Sequence, residues 1–332
     1  MTPFIKKFRD STCILEPFNL ESHLRDCSAA KNSAKWHSLH EDFPMISVLL
    51  EAIGVIFWLI GAQGRLLISR IAALLVFDLF RIRRKLVLRN LERAFGAHAS
   101  LSVKKNIGRV SLSNFVLTSI EFFCARWIFK KFKFEFKNEE VIERALSQGR
   151  GLYAMVIHSG NFEMLAYAFS MRFGRIYAPV KPVGRGAVAQ WVQRNRAAHG
   201  LFEVVNEDRA GKSRSGRLTD ALKQNQTVGF MVDQRRKKGL LVPYFGELAW
   251  TNSGLFYLWK AQPAPIIPIT IKRTGLWSQC IIIHDEFELL GVGDLKFKEF
   301  VLENTKRMNQ RVEALVAANP EEYFWMHDRW KK

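Results

Sequence analysis

His158 follows the apolar run Leu152 to Ile157, precedes the turn-forming Ser159-Gly160-Asn161, and has a carboxylate, Glu163, five residues further on. Imidazole is the side chain best suited to accept a proton near neutral pH. An attacking alcohol needs that help, because its hydroxyl is almost fully protonated at pH 7. Glu163 can hold the second ring nitrogen, which fixes the tautomer and stabilises the imidazolium as it forms. General-base assistance of this kind contributes about 10²- to 10⁴-fold in rate.

Positioning such a pair requires a particular local fold. Gly151 to Ile157 is short, apolar and partly β-branched or aromatic, which predicts a buried strand. Ser159-Gly160-Asn161 supplies turn and N-cap chemistry, and Phe162 to Phe169 has the composition of a helix starting there. His158 therefore sits at the C-terminal end of a strand, where open α/β sheets bind their ligands. The backbone N–H groups at the helix start after Gly160, with Gly160 and Asn161 at its head, are candidate donors to an oxyanion.

Beyond this motif the chain alternates. Strands are predicted at Arg175 to Pro179, Leu201 to Val205 and Thr227 to Val232, with helices at Ala187 to Ala198 and Arg217 to Gln224. Pro265 to Ile271 and Cys280 to Ile283 read as further strands, and Phe132, Phe134 and Phe136 as the apolar face of another. The fold class is α/β, with a mainly parallel central sheet covered by helices. Asp233 follows its strand as His158 follows its own, so parallel neighbours would bring both to one sheet edge. The cationic segment Arg235 to Gly239 reads as a loop.

Three regions are expected: a disordered or loosely attached extension over 1–44, a membrane-anchoring helix over 45–64, and an enzymatic domain over 65–332. The extension does not resemble a signal peptide. In the apolar stretch Met45 to Gly64, ten Leu, Ile, Val and Phe residues favour insertion by about 3 to 6 kcal/mol, against roughly 2.5 to 3.5 for a central Glu51. Ile68 to Phe80 reads as an amphipathic, interfacial or buried helix. The same lengths also admit two core helices of a soluble protein. Arg65, Arg70, Arg81, Arg83, Arg84, Lys85, Arg89 and Arg93 follow the apolar stretch, which by the positive-inside rule puts the body of the protein in the cytoplasm.

The 332 residues carry a formal charge of +19, which calls for an anionic partner: nucleic acid, an acidic membrane surface, or an acidic substrate or carrier protein. A basic nucleic-acid-binding protein fits the charge but not the composition. There is no helix-turn-helix, zinc or RNP signature, and the apolar stretch would have no purpose. The 4 cysteines are scattered without pairing or CxxC spacing, so neither a disulfide framework nor structural zinc is expected. His37 and His40 lack companion ligands, and no metal site is predicted. No GxSxG elbow is present. Ser159, adjacent to His158 on a turn, is poorly placed to act as a nucleophile.

His158-Ser-Gly-Asn-Phe-Glu163 resembles the HxxxxE signature of the lipid A biosynthesis acyltransferases, the late lauroyl and myristoyl transferases of Kdo-lipid A within the lysophospholipid acyltransferase superfamily. Further segments resemble that family in the same order. They are Arg89-Asn90-Leu91 with Phe95, Glu121, Lys181-Pro182 where members have Arg-Pro, Arg196 before Gly200, Asp233-Gln234, Val242 to Gly246, and the tail Pro320 to Lys331. The resemblance implies a glycerolipid acyltransferase-like fold with an N-terminal membrane-associated helix. It also implies acyl transfer from a thioester to a hydroxyl of a lipid A precursor or related glycolipid, with phosphatidylinositol mannoside and ornithine lipid as alternative acceptors.

His158 is then the general base and Glu163 its orienting partner, while Arg196, Asp233 and Lys181 serve substrate or oxyanion, with Arg194 competing for the role of Arg196. Lysine at 181 keeps the charge but lacks the bidentate fork of arginine. No cofactor is expected beyond the acyl donor, acyl carrier protein or coenzyme A thioester. The expected partners are that donor, an anionic glycolipid and the membrane surface, at the cytoplasmic side of a bacterial inner membrane, and no nucleic acid.

Overall fold

Two apolar faces on one sheet explain the architecture. The computed structural model describes residues 44–203 and 213–331. Residues 1–43 of the extension expected over 1–44, and the Val205 end of the predicted 201–205 strand, lie outside those residues. In chain order the helices are α1 (Pro44–Leu59), α2 (Gly61–Ala73), α3 (Arg84–Phe95), α4 (Leu101–Phe123), α5 (Ala125–Ile128), α6 (Glu140–Leu146), α7 (Phe162–Phe173), α8 (Gly186–Ala198), α9 (Arg214–Lys223), α10 (Gly254–Ala261) and α11 (Phe297–Ala318). The strands are β1 (Lys133–Lys137), β2 (Leu152–Val156), β3 (Ile176–Ala178), β4 (Leu201–Glu203), β5 (Thr227–Met231), β6 (Arg235–Tyr244), β7 (Glu247–Thr251), β8 (Ile266–Gly275) and β9 (Ser278–Ile283).

Seven strands form one sheet in the order β1-β9-β8-β2-β5-β3-β4. Every neighbouring pair is parallel except β8 with β9, which the tight turn at Leu276-Trp277 joins as a hairpin. Alternation along β2 sorts its side chains between two cores. Tyr153 and Met155 pack with the cluster containing Val228, Phe230 and Ile266, and Leu152 and Ala154 with the cluster containing Met164, Phe169 and Ile267. A sheet buried on both faces needs apolar residues at successive positions, which is why its central strands read as continuous hydrophobic runs.

The N-terminal apolar region departs from the expected single helix over 45–64. Gly61 adopts a left-handed conformation (φ 70°), which a helix interior does not accommodate, and the chain bends there by 108° between Met45–Leu59 and Gly61–Leu79. A π-helical segment, Leu74–Leu79, continues α2. Among the described residues no single helix is long and apolar enough to cross a membrane, although this bent pair passes the test together, as does Leu101–Phe123 with Ala125–Lys131.

The cationic segment after Asp233 opens a strand, but its register breaks between Arg235 and Leu240, both of which face Thr251, so residues 236–239 bulge out of the pairing. Arg235 to Tyr244 is strand β6, paired antiparallel with β7 through the turn at Phe245-Gly246, where both residues have positive φ. Backbone of that hand matches the twist of a two-residue hairpin.

Candidate active site

Parallel pairing of β2 with β5 registers Val156 against Met231. Two residues beyond each stand His158 and Asp233, so equal offsets carry both to the same point of the sheet edge. His158 Nδ1 lies 2.9 Å from Asp233 Oδ1, and the His158 backbone N–H donates to Asp233 Oδ2 at 3.2 Å. The Asp233 side chain is 2% exposed and that of His158 19%. The carboxylate is thus enclosed while the ring keeps one open side. Burial alone would raise the Asp233 pKa, but the charge and hydrogen bonds of His158 outweigh it and hold the carboxyl below its usual value. An ionised Asp233 assigns the proton to Nδ1 and leaves the lone pair on Nε2. Phe162 stands edge-on to the ring, with centroids 5.1 Å apart.

Glu163 does not occupy the orienting position expected of it. Its carboxylate accepts from Arg196 Nε at 3.0 Å and Nη2 at 2.5 Å, a bidentate pair in which both side chains are largely buried. The turn at 159–161 and the first residues of α7 carry Glu163 onto the face opposite α8, where Arg196 lies. Asp233 takes the ring nitrogen instead because strand register, rather than helix periodicity, decides which carboxylate the ring meets. Arg196 accordingly enters the site as the ion-pair partner of Glu163, and Arg194 is turned to Ser47, its Nη2 donating to the hydroxyl at 3.3 Å.

Gly160 and Asn161 hold the turn together. The Gly160 N–H donates to Glu322 O at 3.0 Å, which commits it to the fold rather than to an oxyanion. Gly160 has φ 60°, and a Cβ there would meet Ile271 O at 2.3 Å, so only glycine fits. Asn161 is buried, and its Oδ1 caps α7 by accepting from Met164 N at 2.9 Å. Its amide donates to Glu121 at 2.6 Å, and Glu121 is paired in turn with Arg273 at 2.5 Å. Lys181 is exposed on the loop after β3, whose C-terminal end opens on the same sheet edge as those of β2 and β5.

Reasoning from the sequence missed how the tail walls the site. Phe324 N donates to His158 O at 2.9 Å, Ser159 pairs with Tyr323, and the Ser111 hydroxyl donates to Tyr323 O. His327 Nε2 accepts from the Arg235 N–H at 3.0 Å, and burial holds this histidine below its usual pKa. Asn90 fixes the tail from the other side, its amide donating to Trp325 O at 3.0 Å and His327 O at 2.8 Å. Phe95 packs edge-on against Trp325. The Arg89-Asn90-Leu91 segment therefore ties α3 to the C-terminal tail.

A mainly parallel α/β sheet and a carboxylate-steadied imidazole at its C-terminal strand edge make an arrangement able to carry general-base chemistry. A family model described as bacterial lipid A biosynthesis acyltransferase matches residues 34–332, and the chain belongs to that family of acyltransferases. Similar proteins include the lipid A biosynthesis palmitoleoyltransferase of Escherichia coli (strain K12) and a lipid A biosynthesis acyltransferase of Shigella flexneri. Each is 24% identical over 261 residues, covering 75% of this chain and 79% of the relative.

Proposed function

We propose that the protein moves a fatty acyl chain from an acyl thioester, on acyl carrier protein or coenzyme A, to a hydroxyl of a lipid A precursor or related bacterial glycolipid. The observation that carries this reading is the His158–Asp233 pair at the strand edge, within a chain of the lipid A acyltransferase family. His158 Nε2 takes the proton of the acceptor hydroxyl as its oxygen attacks the thioester carbonyl carbon. Asp233 holds Nδ1–H and balances the imidazolium that forms. Collapse of the tetrahedral intermediate breaks the C–S bond, and the imidazolium returns its proton to the departing thiolate. No acyl-enzyme and no cofactor enter the scheme. Glu163 and Arg196 brace α7 against α8 next to the turn, and the exposed Lys181 and the cations of β6, Arg236 to Lys238, suit an anionic headgroup or an acidic carrier.

The reaction is assigned to the cytoplasmic face of a bacterial inner membrane, in keeping with the cations that follow the apolar region. Mass spectrometry of cellular lipids with and without the gene tests acceptor and acyl chain together: one glycolipid should lose a single acyl group. A purified, folded His158→Ala protein should lose transfer by about 10²-fold or more. Transfer at near wild-type rate by that variant would remove the mechanism.

A further inference from the structure

Three of the donors that the sequence offered to an oxyanion are engaged in the fold. The Gly160 N–H is bonded to Glu322 O, the Asn161 amide to Glu121, and the Arg196 guanidinium holds Glu163. A tetrahedral intermediate formed beside His158 still carries a negative oxygen, and a preorganised donor aimed at it is among the largest contributions an active site makes. That leaves the N–H groups of the first turn of α7, which a helix cannot pair internally, and one side chain of the tail. Phe324 N is bonded to His158 O at the end of β2, and three residues on, His327 Nε2 accepts from the N–H of Arg235, two residues beyond Asp233. The tail thus passes from one member of the catalytic pair to the other, and the charges of both act on His327.

The bond to Arg235 decides the tautomer of that ring. A backbone N–H can only donate, so Nε2 carries the lone pair and the proton of the neutral imidazole is on Nδ1. Burial holds His327 below its usual pKa, which keeps it neutral at pH 7. Among the described residues the Nδ1–H has no acceptor, and it is not enclosed by protein, so it opens on solvent. The backbone behind it is fixed: His327 O accepts from Asn90 Nδ2 at 2.8 Å and from Arg329 N at 3.0 Å. The next residue, Asp328, is paired with Arg89 at 3.2 Å. A donor held in this way needs no reorganisation when charge develops. A neutral imidazole of fixed tautomer is competent for the task, since such a ring can polarise a carbonyl oxygen.

We propose that His327 is a further catalytic residue, whose Nδ1–H donates to the oxyanion formed as the acceptor hydroxyl attacks the thioester carbonyl. This role rests on the acyltransferase reading above. As the hydroxyl oxygen bonds to the carbonyl carbon, its proton passes to His158 Nε2 and the π electrons of the carbonyl move onto its oxygen. That oxygen accepts a hydrogen bond from His327 Nδ1–H, and no proton is transferred. When the intermediate collapses, the C=O re-forms, the C–S bond breaks and the thiolate takes the proton from His158. His327 ends the turnover as it began, with Nε2 still on the Arg235 N–H. Both rings thus carry the same tautomer and use opposite nitrogens: His158 presents a lone pair, His327 a proton.

Two amide side chains of different reach separate this role from a structural one. In His327→Asn the amide nitrogen falls near the place of Nδ1, which keeps the donor and leaves the Arg235 N–H unmet. In His327→Gln the amide oxygen reaches the place of Nε2, which keeps that bond and supplies no donor at Nδ1. Acyl transfer to a purified lipid A precursor is measured with the full-length protein in detergent micelles, from acyl carrier protein and coenzyme A thioesters in turn. His327→Ala should lower kcat by about 10²- to 10³-fold with KM little changed. His327→Asn should recover about ten-fold or more of that loss, and His327→Gln should not. Hydrogen exchange at the Arg235 amide, quickened in the Ala and Asn variants and slow in Gln, checks that each amide sits as intended, and urea midpoints check that each variant is folded. Recovery by Gln instead of Asn, or by neither, would overturn the assignment. So would a change confined to KM, or a near wild-type kcat in folded His327→Ala, either of which leaves the acyltransferase reading standing. A wild-type protein that transfers from neither thioester would remove that reading itself.

Discussion

His158 Nδ1 and Asp233 Oδ1 meet at 2.9 Å although 75 residues separate them in the chain. The contact is a product of strand register, since each residue lies two places beyond a registered pair of parallel strands. A buried carboxylate on one ring nitrogen makes the other the proton acceptor, and most of the expected chemistry depends on that assignment.

Asp233→Asn should retain the fold and lose acyl transfer. The amide can present its N–H to Nδ1, which shifts the ring proton to Nε2, the nitrogen that must accept. A fall of about 10³- to 10⁴-fold in kcat is expected, with KM little changed. Steady-state transfer on purified protein checks it.

Because the Asp233 carboxyl is held below its usual pKa in the fold, its contribution to stability has a defined pH window. The folded form binds its proton less readily than the unfolded chain. The contribution is therefore full above the unfolded pKa of about 3.9 and disappears as pH falls through the lower folded value. Urea midpoints of wild type and Asp233→Asn should start to draw together as pH falls below about 4, and meet only below the lowered folded value.

The bidentate Glu163–Arg196 pair is largely buried, so removing one member leaves a charge without that partner. Glu163→Ala should cost about 3 to 5 kcal/mol, read from urea unfolding. Glu163→Gln combined with Arg196→Met should recover part of that loss, because neither buried charge then remains. Equal losses in the single and double variants would argue against coupling.

Asn90→Ala removes two hydrogen bonds to the tail backbone inside the fold. The stability cost should be about 1 to 3 kcal/mol. Hydrogen exchange should rise selectively across 323–331, where Phe324 N is bonded to His158 O. Activity should fall along with it, since the tail forms one wall of the site.

Much of this was legible in the chain. Continuous apolar runs ended by polar residues marked β2 and β5 as strands buried on both faces, and glycine with N-cap chemistry placed the turn and the start of α7. Those signals are local: they depend on neighbouring side chains and on backbone conformations that few residues tolerate. The order of family-like segments from Arg89 to Lys331 carried the reaction class, which a single motif would not have done.

What the residues in order could not decide was which charges meet. Glu163 is five positions from His158 and Asp233 is 75, yet the distant one holds the ring, because contact across a sheet is set by register rather than separation along the chain. The same reason hid the union of Asn90 with the tail and the ties from Glu51 to Trp191 and Arg126. Sequence determined the elements and the residues at their ends. Only the packing of those elements determined which acid steadies the imidazole, and which face of the N-terminal helices is left exposed.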